Sequence, residues 1–308
     1  MTEIRVLQPR DEVTLEAFLL PRIETSMFLL GNMRAVGLVD RGEHLQGTYV
    51  AAFEGDRIVG VAAHYWSGTL IVQAPVQIEA LCRAAIDASG RIVRGVLGPA
   101  AQVQMAIQAL GPDEDAINLD QTEYLYSLDL ADLLVPEGLR SGRLVGRRIQ
   151  PRDIEQVTAW LVAFSLEALH EEDSRALRER VRVDVERKQR RGLTWVLEDE
   201  GQPVSTSGFN TTTAEAVQIG GVYTPPELRS RGYGRAVVAA SLLDARAEGA
   251  ERSILFTPVE NIPAQRAYEA LGYRHIGDYR LFLLRGQRRV GTPAFRAARE
   301  GAHRGIGS

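Results

Sequence analysis

The chain has 308 residues, room for two domains of ordinary size, and its 45% hydrophobic and 25% charged residues are the composition of a soluble globular protein. A formal charge of −4 exerts no global pull towards nucleic acid or an anionic membrane surface. The lone Cys82 rules out a disulfide framework and a cysteine-rich metal site, and no apolar run approaches a membrane span.

No basic-then-apolar stretch marks the first residues as a signal peptide, so a cytoplasmic location is expected. Ile4-Arg5-Val6-Leu7 reads as a short strand that passes through Gln8-Pro9-Arg10-Asp11 into a helix over 12–20. A second helix follows over 26–36, with Met27, Leu30 and Met33 spaced for one face. Strands are expected over 48–53, 57–66 and 69–74, the first two joined by the hairpin signal Glu54-Gly55-Asp56. A helix over 75–88, a strand over 91–97, a helix over 99–110 and a strand over 123–130 complete this half.

Pro136, Gly138 and Gly142 mark a linker over 136–142. The second half runs through a strand over 144–149 and helices over 153–169 and 174–191, the latter capped by Ser174 or Asp173. Strands over 193–198, 203–210 and 216–224 lead to a helix over 232–248, a strand over 252–257, a helix over 262–271 and a strand over 274–284. From Gly286 onward Arg, Gly and Ala without periodicity predict a mobile tail over 286–308.

The halves resemble each other. Leu7-Gln8-Pro9-Arg10-Asp11 recurs as Ile149-Gln150-Pro151-Arg152-Asp153, and Glu54-Gly55-Asp56 as Glu200-Gly201-Gln202, each time between matching elements. A duplicated unit is therefore expected, although Q-P-R-D is also a common strand-to-helix turn. The halves differ where it matters: the strand ending at Ala74 reaches its helix through Pro75 alone, whereas its counterpart is followed by the whole of 225–234.

That insertion reads Arg229-Ser230-Arg231-Gly232-Tyr233-Gly234-Arg235, after a strand closed by Pro225-Pro226 and before a long helix. Glycines at a strand–turn–helix junction let backbone N–H groups approach a phosphate, and the helix N-terminus adds roughly half a positive charge. Interleaved arginines offer fork-shaped donors. Neither a Walker loop nor a G-x-G-x-x-G fingerprint is present. What stands here is R-x-x-G-x-G, at Arg229, Gly232 and Gly234. This resembles the [QR]-x-x-G-x-[GA] loop of the GNAT acetyltransferase superfamily. Asn261-Ile262-Pro263-Ala264-Gln265-Arg266-Ala267-Tyr268, continuing to Gly272-Tyr273, is similar to that family's N-x-x-A-x-x-x-Y-x-x-x-G-[FY] segment.

The resemblance covers nearly all of 144–284 by motif and the first half only by architecture. It implies an α/β fold: two tandem GNAT-like domains with a central mixed, mostly antiparallel sheet, a splayed parallel strand pair and flanking helices. The expected division is a degenerate domain over 1–136 without a pyrophosphate loop, a catalytic domain over 143–285 and the tail. Acetyl-CoA is the implied donor cosubstrate. Its diphosphate would meet the backbone of Arg229, Ser230, Arg231, Gly232, Tyr233, Gly234 and Arg235, with Arg231 and Arg235 as side-chain contacts. Val222, Tyr223 and Thr224 would pair with the pantetheine arm and polarise the thioester carbonyl. Gly220-Gly221 is where a bulge and a close approach are expected.

Asn261 reads on physics as the N-cap of its helix, and by resemblance as a pantetheine contact with Ala264; both roles can coexist. Arg266 fits an adenosine or phosphate contact or a solvated face. Tyr268 is a core aromatic by spacing and, by resemblance, the general acid for the departing thiolate. For the base, Glu171 and Glu172 are the choices carried forward, with Glu167, Asp173 and Glu215 also in view and a water chain as an alternative. His170 and His275 read as surface residues, and no metal site is expected. The expected activity is transfer of acetyl to a primary amine of a small molecule, by a monomer or homodimer with no nucleic-acid or membrane partner. Rival readings are another acyl or aminoacyl donor, acetylation of protein amines, and a CoA-binding regulatory protein without turnover.

Overall fold

The structure, a computed structural model, describes residues 2–285. The tail expected from Gly286 lies outside the described residues. Strand β1 (Glu3–Val6) leads to helices α1 (Glu12–Leu19) and α2 (Ile23–Val36), then β2 (Gly47–Glu54), β3 (Arg57–Tyr65) and β4 (Thr69–Gln73). Helix α3 (Ile78–Ser89), β5 (Gly95–Pro99), α4 (Ala100–Leu110) and the long β6 (Ile117–Asp129) finish the first half. The expected linker holds a short helix, α5 (Glu137–Arg140). The second half repeats the order with β7 (Leu144–Arg148), α6 (Ile154–Ala168), α7 (Arg175–Arg190), β8 (Thr194–Asp199), β9 (Gln202–Thr212), β10 (Ala216–Tyr223), α8 (Tyr233–Ala247), β11 (Arg252–Pro258), α9 (Ile262–Glu269) and β12 (Arg274–Leu284).

The repeated Q-P-R-D motif builds the same device twice. Asp11 accepts from the Gln8 amide at 2.7 Å and from the Arg5 fork, and Asp153 accepts from the Gln150 amide at 2.7 Å and from the Arg147 fork. Each carboxylate thus closes a capping box while an arginine from the preceding strand neutralises it.

The strands of the described residues join one 12-stranded sheet in the order β1-β2-β3-β4-β5-β12-β6-β11-β10-β9-β8-β7. The last strand of each half is hydrogen-bonded into the other: β12 lies against β5, β6 lies against β11, and the two long strands pair antiparallel at the centre. This pairing explains why β6 begins at Ile117 although Asn118, Asp120 and Gln121 carry no strand signal of their own; β12 supplies their partners. Among the described residues only β4–β5 and β10–β11 run parallel.

Alternation along the strands divides the core between two faces. On one face α1 and α2 bury Leu15, Met27 and Leu30 against Tyr49, Leu125, Ala216, Ile254 and Tyr279, while α6 and α7 cover Val196 and Tyr223. On the other, α3 and α4 cover Val50, Leu70 and Val96, and α8 and α9 cover Leu197, Ile219 and Leu255. First-half α2 therefore reaches over the second half's parallel pair. It is fastened there by Arg34 to Glu215 at 2.6 Å and by an ion pair of Glu24 with Arg252. A Cβ at Gly31 would stand 2.2 Å from Thr211 Oγ1, so that close approach needs glycine.

Candidate active site

Parallel pairing of β10 with β11 covers Ala216–Arg252, Val217–Ser253 and Gln218–Ile254, and then stops. Beyond it the strands part. At the last paired position Gln218 is 1% exposed, and its Nε2 donates to its neighbour Ile219's carbonyl at 2.7 Å while its Oε1 has no partner. Gly221 has φ +63° and the register with β9 shifts between Gly220 and Tyr223, a bulge where the paired glycines led one to expect it. The close approach at Gly220 is made by a side chain: a Cβ there would lie 1.9 Å from Asn210 Nδ2. Asn210 Oδ1 in turn accepts from the only lysine, Lys188, at 3.1 Å.

The end of β10 is held from both sides. Ser205 Oγ donates to the Tyr223 carbonyl at 2.9 Å and lies 2.9 Å from Thr224 Oγ1, and Tyr223 Oη donates to Glu167 at 3.0 Å. The chain then turns through Pro226–Leu228, Ser230 at φ +63° and Gly232 at φ +78° into α8. No side chain caps that helix, so the amides of Tyr233, Gly234 and Arg235 are left without intrahelical acceptors. Tyr233 is buried, and its hydroxyl ties the helix start to Asp199.

The arginines of the turn divide by role. Arg229 is spent on the protein: it donates to the Thr224 carbonyl at 2.9 Å and to Glu167 at 2.7 Å, and stacks over Tyr223. Arg231 donates to the Glu227 carbonyl at 3.2 Å and is otherwise exposed. Arg235 has a buried Nε with no partner. A guanidinium at the positive end of a helix is electrostatically misplaced unless an anion joins it. The donor set therefore fits a diphosphate.

Across the gap, Asn261 caps α9 by accepting from the Ala264 amide at 3.2 Å, as its position before the helix implies. Arg266 is exposed and forms no ion pair among the described residues. Tyr268 is 8% exposed, with its ring centroid 6.5 Å from Tyr126 and 5.9 Å from Tyr273. Burial first, and the charge of Glu123 second, push its hydroxyl pKa well up, so it holds its proton at neutral pH.

Four of the five acids considered for the base are held by other side chains. Glu171 forms an ion pair with Arg180, Asp173 bonds Arg178 at 2.6 Å, and Glu172 is exposed. Glu167 is occupied by Tyr223 and Arg229. The Arg34 fork holds Glu215 down at about 2. A residue not anticipated from sequence is Glu123 on β6. It is 8% exposed, with no hydrogen-bond or ion-pair partner among the described residues, and burial alone raises its carboxyl to about 7. The signal was a carboxylate on the Glu123, Leu125, Ser127 face of a strand, which reads as solvent-facing until β11 and β12 enclose it.

In the first half the equivalent gap is shut. Pairing of β4 with β5 likewise ends at Ile71–Leu97, but a Cβ at Gly98 would meet the Val72 carbonyl at 2.7 Å, and Gln102 of α4 takes the Ala74 amide at 2.6 Å.

A family model described as the acetyltransferase (GNAT) family matches residues 154–273. Among solved structures, a Drosophila protein is 14% identical with a TM-score of 0.63, covering 92% of this chain and 98% of its own. A GCN5-related N-acetyltransferase from Kribbella flavida is 17% identical with a TM-score of 0.55, covering 86% and 95%. A tandem GNAT protein from the clavulanic acid biosynthesis pathway is 17% identical with a TM-score of 0.51, covering 96% and 100%. No curated protein matches. At these identities the structural likenesses establish the fold. Among the described residues no helix is long and apolar enough to cross a membrane, and no cluster of His, Cys, Asp or Glu is arranged to hold a metal. Residues 154–273, the stretch that carries the uncapped glycine turn, the parted strands and Tyr268, belong to the acetyltransferase (GNAT) family, whose chemistry is acyl transfer from coenzyme A to an acceptor.

Proposed function

We propose that this protein is an N-acetyltransferase that moves the acetyl group of acetyl-CoA to the primary amine of a small molecule. The observation that carries the reading is the uncapped N-terminus of α8, with the unpartnered Arg235 Nε beside it, set next to the point where β10 and β11 part. Amides of 233–235 and the Arg235 guanidinium bind the diphosphate; the free edge of β10 from Val222 to Thr224 aligns the pantetheine arm. The thioester supplies an activated acyl carbon. Tyr268, protonated at neutral pH, gives its proton to the departing thiolate.

The first half takes no cofactor in this reading. Its gap is filled by Gln102 and Val72, and its α2 roofs the opposite face of β10 and β11, which makes it a wall of the acceptor pocket. A roofed pocket favours a small acceptor over a protein tail, which needs an open groove. Calorimetry with acetyl-CoA, followed by a panel of amines monitored by release of free CoA thiol, tests the reading. Saturable binding with amine-dependent thiol release is expected. Absence of binding refutes it, and release only with other acyl donors replaces the acetyl assignment.

A further inference from the structure

Glu123 stands opposite Pro258, the last residue of β11, on one side and opposite Tyr279 of β12 on the other. Residues facing each other across a ladder project to the same side of the sheet. Glu123, Pro258 and Tyr279 thus share the face roofed by α1 and α2, while Tyr268 approaches from the face of α8 and α9. The charge of Glu123 nevertheless acts on the hydroxyls of both Tyr268 and Tyr279. The carboxyl therefore stands on the face of α1 and α2 beside the end of β11, and the proposed acid on the opposite face.

We infer that Glu123 is the general base, supplied to the second half's active site by the first half's last strand. The inference rests on the acetyl-transfer reading above. In the step, the Glu123 carboxylate takes a proton from the acceptor's amine nitrogen as the C–N bond forms; the C–S bond breaks, its electron pair leaves on sulfur, and Tyr268 protonates that sulfur. Solvent returns a proton to Tyr268 and removes one from Glu123, so the turnover is balanced.

Two features set Glu123 apart from the other acids nearby. Glu167, Glu171, Asp173 and Glu215 each face an arginine, so each is already engaged by a cation. Glu123 faces none: Tyr279 on β12 and Tyr268 on α9 are the titratable groups coupled to it, and no charge contributes to its own shift. A base poised near the working pH combines adequate basicity with an ionised fraction that is ready to act. The neighbouring Tyr279 hydroxyl, buried without a partner, is a second unfilled polar group on that face.

The test is Glu123→Gln, a change of nearly equal volume. In the unliganded parent, infrared titration should show one carboxyl band converting to carboxylate near pH 7, missing from the variant. With acetyl-CoA and an accepted amine, the variant's kcat should fall by about a hundredfold or more. The parent's rise in kcat/KM with pH through the same range should disappear, while acetyl-CoA affinity stays within about twofold. A variant that keeps the parent's rate and pH limb, or a parent with no carboxyl titrating near neutrality, overturns the assignment while leaving the acetyltransferase reading intact. A parent that binds acetyl-CoA yet acetylates no amine overturns that reading and this inference together.

Discussion

Replacing Gly234 by alanine should raise stability slightly and leave cofactor affinity unchanged, whereas the same change at Gly232 should lower both. Gly234 is the second residue of α8 and its φ is not positive, so alanine meets no backbone strain. A Cβ built there would lie 3.5 Å from Thr224 Oγ1 and 4.0 Å from Val222 Cγ1, ordinary contact distances. The empty protein accommodates it. Alanine is favoured over glycine in a helix by about 0.5–1 kcal/mol, and near the first turn we take about half a kcal/mol. For a chain of this size that raises the melting temperature by roughly 1 °C. The loop pattern that Arg229, Gly232 and Gly234 match itself admits alanine at its last position, so the added methyl leaves the amides of 233–235 open to a diphosphate. Gly232→Ala is the contrast. At φ +78° a side chain costs about 1–2 kcal/mol, and a turn that shifts to relieve it loses one or two charge-assisted hydrogen bonds to the diphosphate at about 1.5–3 kcal/mol each, so the melting temperature falls and acetyl-CoA binding weakens about tenfold or more. Differential scanning calorimetry and titration calorimetry on the two variants read both quantities. A Gly232→Ala protein that binds acetyl-CoA as tightly as the parent would falsify the placement of the diphosphate on this helix.

Tyr268→Phe keeps the packing against Tyr126 and Tyr273 and removes only the hydroxyl; kcat should drop about a hundredfold or more with acetyl-CoA affinity unchanged, and an unaltered rate removes Tyr268 from the mechanism. Titration calorimetry should count one acetyl-CoA per chain, and Gln102→Ala should still count one, because opening the Ala74 amide creates no glycine turn; a second site in either protein refutes the closed first-half gap. The Arg5 fork, then the Gln8 amide, draw Asp11 down to about 2 from 3.8 against the cost of its burial. Its stabilisation is therefore present above about pH 4 and lost as pH falls through about 2, so Asp11→Asn should cost about 1–2 kcal/mol in urea unfolding at pH 7 and far less near pH 2. An equal cost at both pH values means that the ion pair is not what the substitution removed.

Much of this was legible in short windows of chain. Gly232 and Gly221 take positive φ values that side chains disfavour, and Asn261 and Ser174 sit where a side-chain oxygen can cap the next helix; such requirements act over three or four residues and leave their mark in the local text. Q-P-R-D signalled two equivalent turns for the same reason, although the Arg5 and Arg147 forks that neutralise them come from neighbouring strands and were not anticipated. What the tertiary structure alone decided is which distant groups meet. Arg229 sits in the phosphate motif yet bonds Glu167, because the end of α6 stands beside the turn. The choice of β11 and β12 as β6's neighbours, which together enclose Glu123 while β12 draws Asn118 and Asp120 into a strand, is made by hydrogen bonds between segments more than a hundred residues apart. No periodicity within either segment encodes its partner. An unpaired backbone edge can pair with any strand that reaches it, and only closure of the whole sheet selects which one does.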